Sequence, residues 1–199
     1  MRASFDKLIS WTGVLLAAFL LVAGGLLTYA CSYIGNEVQS QLSAQDITMP
    51  EGAALEALPP VDQKVLKPYA GSPMDTGPEA RAYADHYIQA HMNASSGGKS
   101  YSEISGQYVA MTPEQKASPE GQELAGLRAT LFQGNTLRGL LLYGAAFATM
   151  GTIAGIAAIA VFIAAVILLI LGLLGLRHAS RIEKAAAGEP ATVSQPTAS

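Results

Sequence analysis

The side chains best suited to chemistry lie between residues 83 and 101. Tyr83, His86, Tyr87 and His91 share one broad stripe of a predicted helix, Asp85 sits beside His86, and Tyr101 follows a glycine-rich break. Imidazole next to carboxylate is raw material for a metal site or for general acid–base catalysis. Paired histidine ligands on a helix are usually three or four residues apart. His86 and His91 are five apart, about 140° around an α-helix, and no third convergent ligand accompanies them. No metal or other cofactor is therefore expected. Nucleophilic catalysis has no better support: the single cysteine, Cys31, closes an apolar run, and no serine lies in a Gly-x-Ser-x-Gly elbow. Gly98-Lys99-Ser100 resembles the end of a phosphate loop, but Asn93 stands where that loop needs its first glycine. The chain is expected not to be an enzyme. Tyr83, Tyr87, His91 and Tyr101 are then candidate contact residues, for a ligand or for another protein.

The elements that must position these residues are set by hydrophobicity. Half of the 199 residues are hydrophobic and 14% are charged. Leu8 to Ala30 is 23 residues without a charge, and Gly139 to Leu176 is 38. A bilayer core of roughly 30 Å needs about 20 helical residues, so each run can cross it. The second run would make a helix of roughly 57 Å. A hairpin of two spans would need a polar turn, and Met150 to Gly155 offers a single hydroxyl, Thr152. One long helix is expected over 139–176, with its membrane part at about 152–176 and the remainder protruding as apolar surface that calls for a protein neighbour.

Arg2 and Lys7 precede the first run, and Arg177, Arg181 and Lys184 follow the second. By the positive-inside tendency both termini are cytoplasmic. Twelve acidic residues against seven basic ones occupy the intervening segment, which belongs on the outer side. That balance also excludes nucleic acid as a partner, since nucleic-acid binding requires a basic face. The expected organisation is a cytoplasmic N-terminus (1–7), a first span (8–30), an extracytoplasmic helical and irregular region (31–138), the long helix (139–176) and a disordered cytoplasmic tail (177–199), all in the plasma membrane. The first run is too long for the apolar core of a cleaved signal peptide. Thr28 and Tyr29 before Cys31 depart from a lipid-attachment pattern, leaving Cys31 a free thiol.

Neither run contains Asp, Glu, Lys, Arg or His, which argues against transport. Both carry small residues at packing intervals: Gly13, Ala17 and Gly24 in the first, and Ala148, Gly151, Gly155, Ala158 and Ala165 in the second. Small residues let helix backbones approach closely in lipid, so the spans are expected to pack on each other or on a partner.

Between the spans, helical spacing continues from Tyr33 to Leu42. The prolines and glycines of residues 50–77 mark an irregular stretch. Pro78 opens a helix to about Met92, Ser100 with Glu103 forms a capping box for a helix over Tyr101 to Ala110, Thr112-Pro113 repeats the signal, and Ser118-Pro119 starts the last helix. The fold class is an all-α membrane protein: two transmembrane helices extended outward as a stalk, with a small helical extracytoplasmic region.

Three stretches carry a family resemblance: Ile47 to Pro50, Ala82 to His91, and Gly97 to Ile104. With Leu127 to Phe132 and Arg138 to Leu141, they resemble a group of uncharacterised actinobacterial two-span membrane proteins that often bear the label of aromatic ring-opening dioxygenase. Enzymes of that kind hold iron with two His and a carboxylate, a triad this segment does not offer. The resemblance implies an envelope protein and transfers no catalytic residue. The leading expectation is a non-enzymatic accessory or assembly subunit of an envelope complex, in contact with lipid and with a protein partner or further copies of itself. The alternative is a sensor or ligand-binding membrane protein that uses the outer helices.

Overall fold

The computed structural model describes residues 2–187, and its elements are helices. Helix α1 spans Arg2–Ser43, and α8, the last, spans Pro119–Ala187. Both are long and apolar enough to cross a membrane, and only 11% and 17% of their most apolar windows is buried within the chain. The rest of that apolar surface is exposed, as a membrane location would have it.

Helix α8 passes through residues 139–176 without a break, so no hairpin forms. Gly134 and Asn135 do not interrupt it. Asn135 Nδ2 donates to the Leu131 carbonyl at 2.9 Å and Thr136 Oγ1 to that of Phe132 at 2.8 Å, which ties both polar side chains to the helix itself. The helix continues past Leu176 to Ala187, so the start of the expected disordered tail is helical. The remainder of that tail, 188–199, lies outside the described residues.

The chain divides into two compact units, Met1–Ala30 with Ile153–Ser199, and Cys31–Thr152. In the first, α1 and α8 run antiparallel, as Lys7 pairing with Glu183 and Gly24 lying against Phe162 show. The buried positions of α1 here are Ser10, Ala17 and Gly24, and those of α8 are Ala158, Ala165, Gly172 and Ala179. Each set recurs every seventh residue, the repeat that left-handed winding keeps on one seam. A Cβ on Gly172 would lie 2.8 Å from Val14 Cγ2 and 3.0 Å from the Ser10 carbonyl oxygen. A Cβ on Gly13 would lie 3.8 Å from Gly172 Cα. The small residues of the first span thus pack within the chain.

The second unit has a hydrophobic core of Val38, Leu42, Met49, Leu58, Leu66, Met74, Ile88, Met92, Ile104, Leu131 and Leu141 with three alanines. Residues 50–77, expected to be irregular, contain α2 (Gly52–Glu56), α3 (Pro60–Leu66) and a 3-10 turn (Lys67–Tyr69). Pro60 is the first residue of α3, where its missing N–H costs nothing. Ile47 and Met49 hydrogen-bond across to Gly71, Ser72 and Met74 around a bridge between Thr48 and Pro73, which lays the extended piece against the same segment.

Three capping boxes organise the next helices. Thr76 with Glu79 opens α4 (Gly77–Ala82), Ser100 with Glu103 opens α6 (Tyr101–Ala110), and Thr112 with Gln115 opens α7 (Pro113–Ala117). Between α4 and α5 (Gln89–Ser96) lies a π-helical stretch, Tyr83–Ile88. Helix α5 extends past Met92 and stops at Gly97, whose φ of 61° is the left-handed conformation of a helix C-cap. The glycines beside Lys99 therefore terminate a helix.

The small-residue face expected on the second span also divides differently. Gly151 is buried, and its Cβ would sit 3.1 Å from Ile34 Cγ2 and 3.7 Å from the Cys31 carbonyl oxygen. Ala148 instead meets the start of α4, where a Cβ on Gly77 would collide with it. Gly155 is only half-buried. Gly151 and Gly155, the two glycines of the GxxxG spacing, are therefore not buried alike.

Candidate functional site

The π-helical stretch brings the titratable side chains together. Its wider turn is a local departure from α-geometry of the kind that often accompanies function. Two adjacent residues on it reach two different helices. His86 Nδ1 lies 2.8 Å from Asp62 Oδ1 of α3, and Arg138 of α8 donates from Nη2 to Asp85 Oδ1 at 2.7 Å. All four side chains are partly shielded, the most exposed of them at 31%. Both pairs clamp the π-turn, and each carboxylate is engaged by its cationic or imidazole partner.

Tyr83, Tyr87 and His91 stack in sequence, with ring centroids 4.7 Å and then 4.3 Å apart. His91 Nδ1 contacts the Tyr87 carbonyl oxygen at 2.8 Å. Burial, and then the neighbouring Tyr87, push the Tyr83 hydroxyl above its ordinary pKa, so it stays a neutral phenol. Tyr83 and Tyr87 are partly buried and pack against the core. His91 instead borders a cavity of about 630 Å³ with Leu58, Pro59 and Asp62. His86 and His91 face different partners, and among the described residues no three His, Cys, Asp or Glu gather to hold a metal.

Glu79 has the most polar-bonded carboxylate of the unit. It is buried, and its oxygens accept from the Asp75 and Thr76 N–H groups and from the Thr76 and Ser72 hydroxyls at 2.7–3.1 Å. Burial opposes its charge, but the hydrogen bonds together win and hold its pKa below the ordinary carboxylate value. Every oxygen is engaged in local structure, so Glu79 acts as a fastener between the Ser72 turn and α4.

Two open surfaces of this unit carry large apolar or aromatic side chains. Leu140, Tyr143, Phe147 and Met150 form a stripe along α8 at helical spacing, each more than half exposed. Ile34 and Leu42 of α1 lie against Gly151 and Gly144 in this region, and beyond the exposed Tyr33 the outward residues of α1 here are mostly polar: Asn36, Glu37, Gln39, Ser40 and Gln41. The second surface surrounds Tyr101, whose ring lies 5.8 Å from that of Phe132. A groove of about 620 Å³ opens on one side of this pair and one of about 320 Å³ on the other. Of the loop residues singled out by sequence, Tyr101 is the one at an open aromatic surface. Phe132 and Asn135, its neighbours in the groove, carry no sequence signal of their own beyond helical spacing.

The chain matches no protein-family model, no curated protein and no solved structure.

Proposed function

We propose that this is a non-enzymatic plasma-membrane protein with both termini cytoplasmic and residues 31–138 outside the cell, serving as an accessory or assembly subunit of an envelope complex. The observation that carries this reading is the exposed stripe Leu140, Tyr143, Phe147 and Met150. Polar residues line the neighbouring part of α1, and Asn, Glu and Gln side chains are costly in hydrocarbon. That level of the chain therefore lies in water, where four large apolar side chains in a row mark a protein contact. The occupant that fits is an apolar helical face of a partner subunit. The small residues of the first unit pack within the chain, so the partner is held through α8 above the membrane and not through a GxxxG contact between spans.

A photo-crosslinking residue placed by Phe147→p-benzoylphenylalanine in cells tests the reading. One discrete protein adduct is expected there, and none from the same probe at Ile163, which faces lipid. Equal labelling at both positions, or a lone uncrosslinked chain after mild-detergent extraction, contradicts it.

A further inference from the structure

The Tyr101–Phe132 surface has the composition of a saccharide site, and we propose that it binds a neutral oligosaccharide lying across the two rings. Phe132 is 58% exposed, an aromatic ring left in solvent although the core lies directly behind it at Leu131. Tyr101 and Phe132 border the grooves on both sides, so a linear ligand can run over the rings from one concavity into the other. Sugar rings present flat C–H faces to such aromatic surfaces, whose π-faces carry partial negative charge.

The polar groups around the larger groove suit hydroxyls. Gln89 Nε2 donates to Asn93 Oδ1 at 2.8 Å, which leaves the Asn93 amide N–H groups as donors and the Gln89 carbonyl as an acceptor. Asn135 spends its Nδ2 on the Leu131 carbonyl and keeps Oδ1 as an acceptor. The groove thus offers both donors and acceptors, and a hydroxyl, which both donates and accepts, can satisfy each kind. Such a mix of apolar floor and a few directed polar groups is the general make-up of a small-ligand site.

Charge favours a neutral ligand over an anion. Lys99 is the one cation bordering the larger groove, and it lies close enough to Glu103 to interact with its carboxylate. On the other side Arg128 is engaged by Ser105 Oγ at 3.0 Å and lies over the Tyr108 ring. Neither cation stands alone as a phosphate or carboxylate receptor. The site lies wholly within Cys31–Thr152 and does not depend on a protein partner, so it extends the functional reading without resting on it.

The test uses the full chain in lipid nanodiscs, since maltoside detergents would themselves compete. Saturation-transfer NMR and calorimetry are run with chitohexaose and maltohexaose as neutral probes and inorganic phosphate as the anionic one. Saturation is expected on the ring protons of at least one oligosaccharide, with the Kd raised about tenfold by Phe132→Ala and by Asn93→Ala, and unchanged by Tyr143→Ala. Phe132 and Asn93 are surface residues, so these variants keep the core. No binding of either oligosaccharide at millimolar concentration overturns the proposal. So does binding indifferent to Phe132→Ala, or phosphate binding that depends on Lys99.

Discussion

In the unit made of Met1–Ala30 and Ile153–Ser199, the buried side chains among the described residues are Ser10, Ala17, Ala158, Ala165 and Ala179, with Gly24 and Gly172 between them. In Cys31–Thr152 they include Met49, Leu66, Met74, Ile104, Leu131 and Leu141, which are the largest fully buried side chains among the described residues. One unit hides its small residues and exposes Leu, Ile, Val and Phe. The other hides large ones and exposes polar groups and helix caps, apart from Phe132 and the stripe Leu140, Tyr143, Phe147 and Met150. Burial of apolar area drives folding only where the alternative is water. Between helices in lipid that drive is absent, and close backbone approach takes its place. The contrast is the one the proposed membrane reading requires, with lipid as the solvent of one unit and water as that of the other.

Mutations separate the two modes. The largest effect is expected from Leu66→Ala, because a fully buried side chain leaves both lost transfer energy and a cavity, about 2–5 kcal/mol. Chemical denaturation followed by hydrogen exchange in residues 47–131 measures it, and exchange in residues 8–30 should stay unchanged. Gly172→Leu is the mirror image. Its Cβ meets the Ser10 backbone, so the helices must part, at about 1–3 kcal/mol. Gly25→Leu, with nothing within 4 Å of its Cβ position, should be neutral. Equal loss from both leucines in a detergent-unfolding assay would erase the distinction between seam and lipid face.

Glu79 gives a smaller, pH-dependent effect. Its hydrogen bonds hold the folded pKa below the ordinary carboxylate value. Its stabilisation is therefore complete above the unfolded pKa, declines as pH falls from there through the folded pKa, and is gone below it. Glu79→Gln should cost about 1–2 kcal/mol near neutrality and flatten the acid limb of the stability profile of the helical domain. The smallest effect belongs to Lys7→Ala. The Lys7–Glu183 pair is short, 2.6 Å, but both side chains are 40% exposed or more, so thermal melts should shift by less than about 1 kcal/mol.

Much of this architecture is legible in the sequence where a local signal exists. Ser100 with Glu103, and Thr112 with Gln115, announce α6 and α7 because a capping box is a contact between residues three apart. Helices α2 and α3 are not legible in this way: at five and seven residues they are too short to show a 3.6-residue period, and their prolines read as breakers although Pro60 occupies a first turn. The Asp62–His86 and Asp85–Arg138 pairs join residues 24 and 53 apart, and nothing local marks such contacts. The small-residue seam is visible but its period is not, because Gly151 and Gly155 suggest spacing by fours. Of the candidate contact residues, Tyr83 and Tyr87 are spent on the core, whereas Tyr101 borders open grooves because α6 carries it beside Phe132.

In the proposed topology α1 and α8 cross the membrane, residues 31–138 lie on the outer side and both chain ends lie inside. In a Cys31→Ser background, Glu114→Cys and Lys184→Cys are labelled with a membrane-impermeant maleimide on intact cells and again after lysis. The expected result is labelling of position 114 on intact cells and of position 184 only after lysis. Labelling of 184 on intact cells, or of 114 only after lysis, would contradict it.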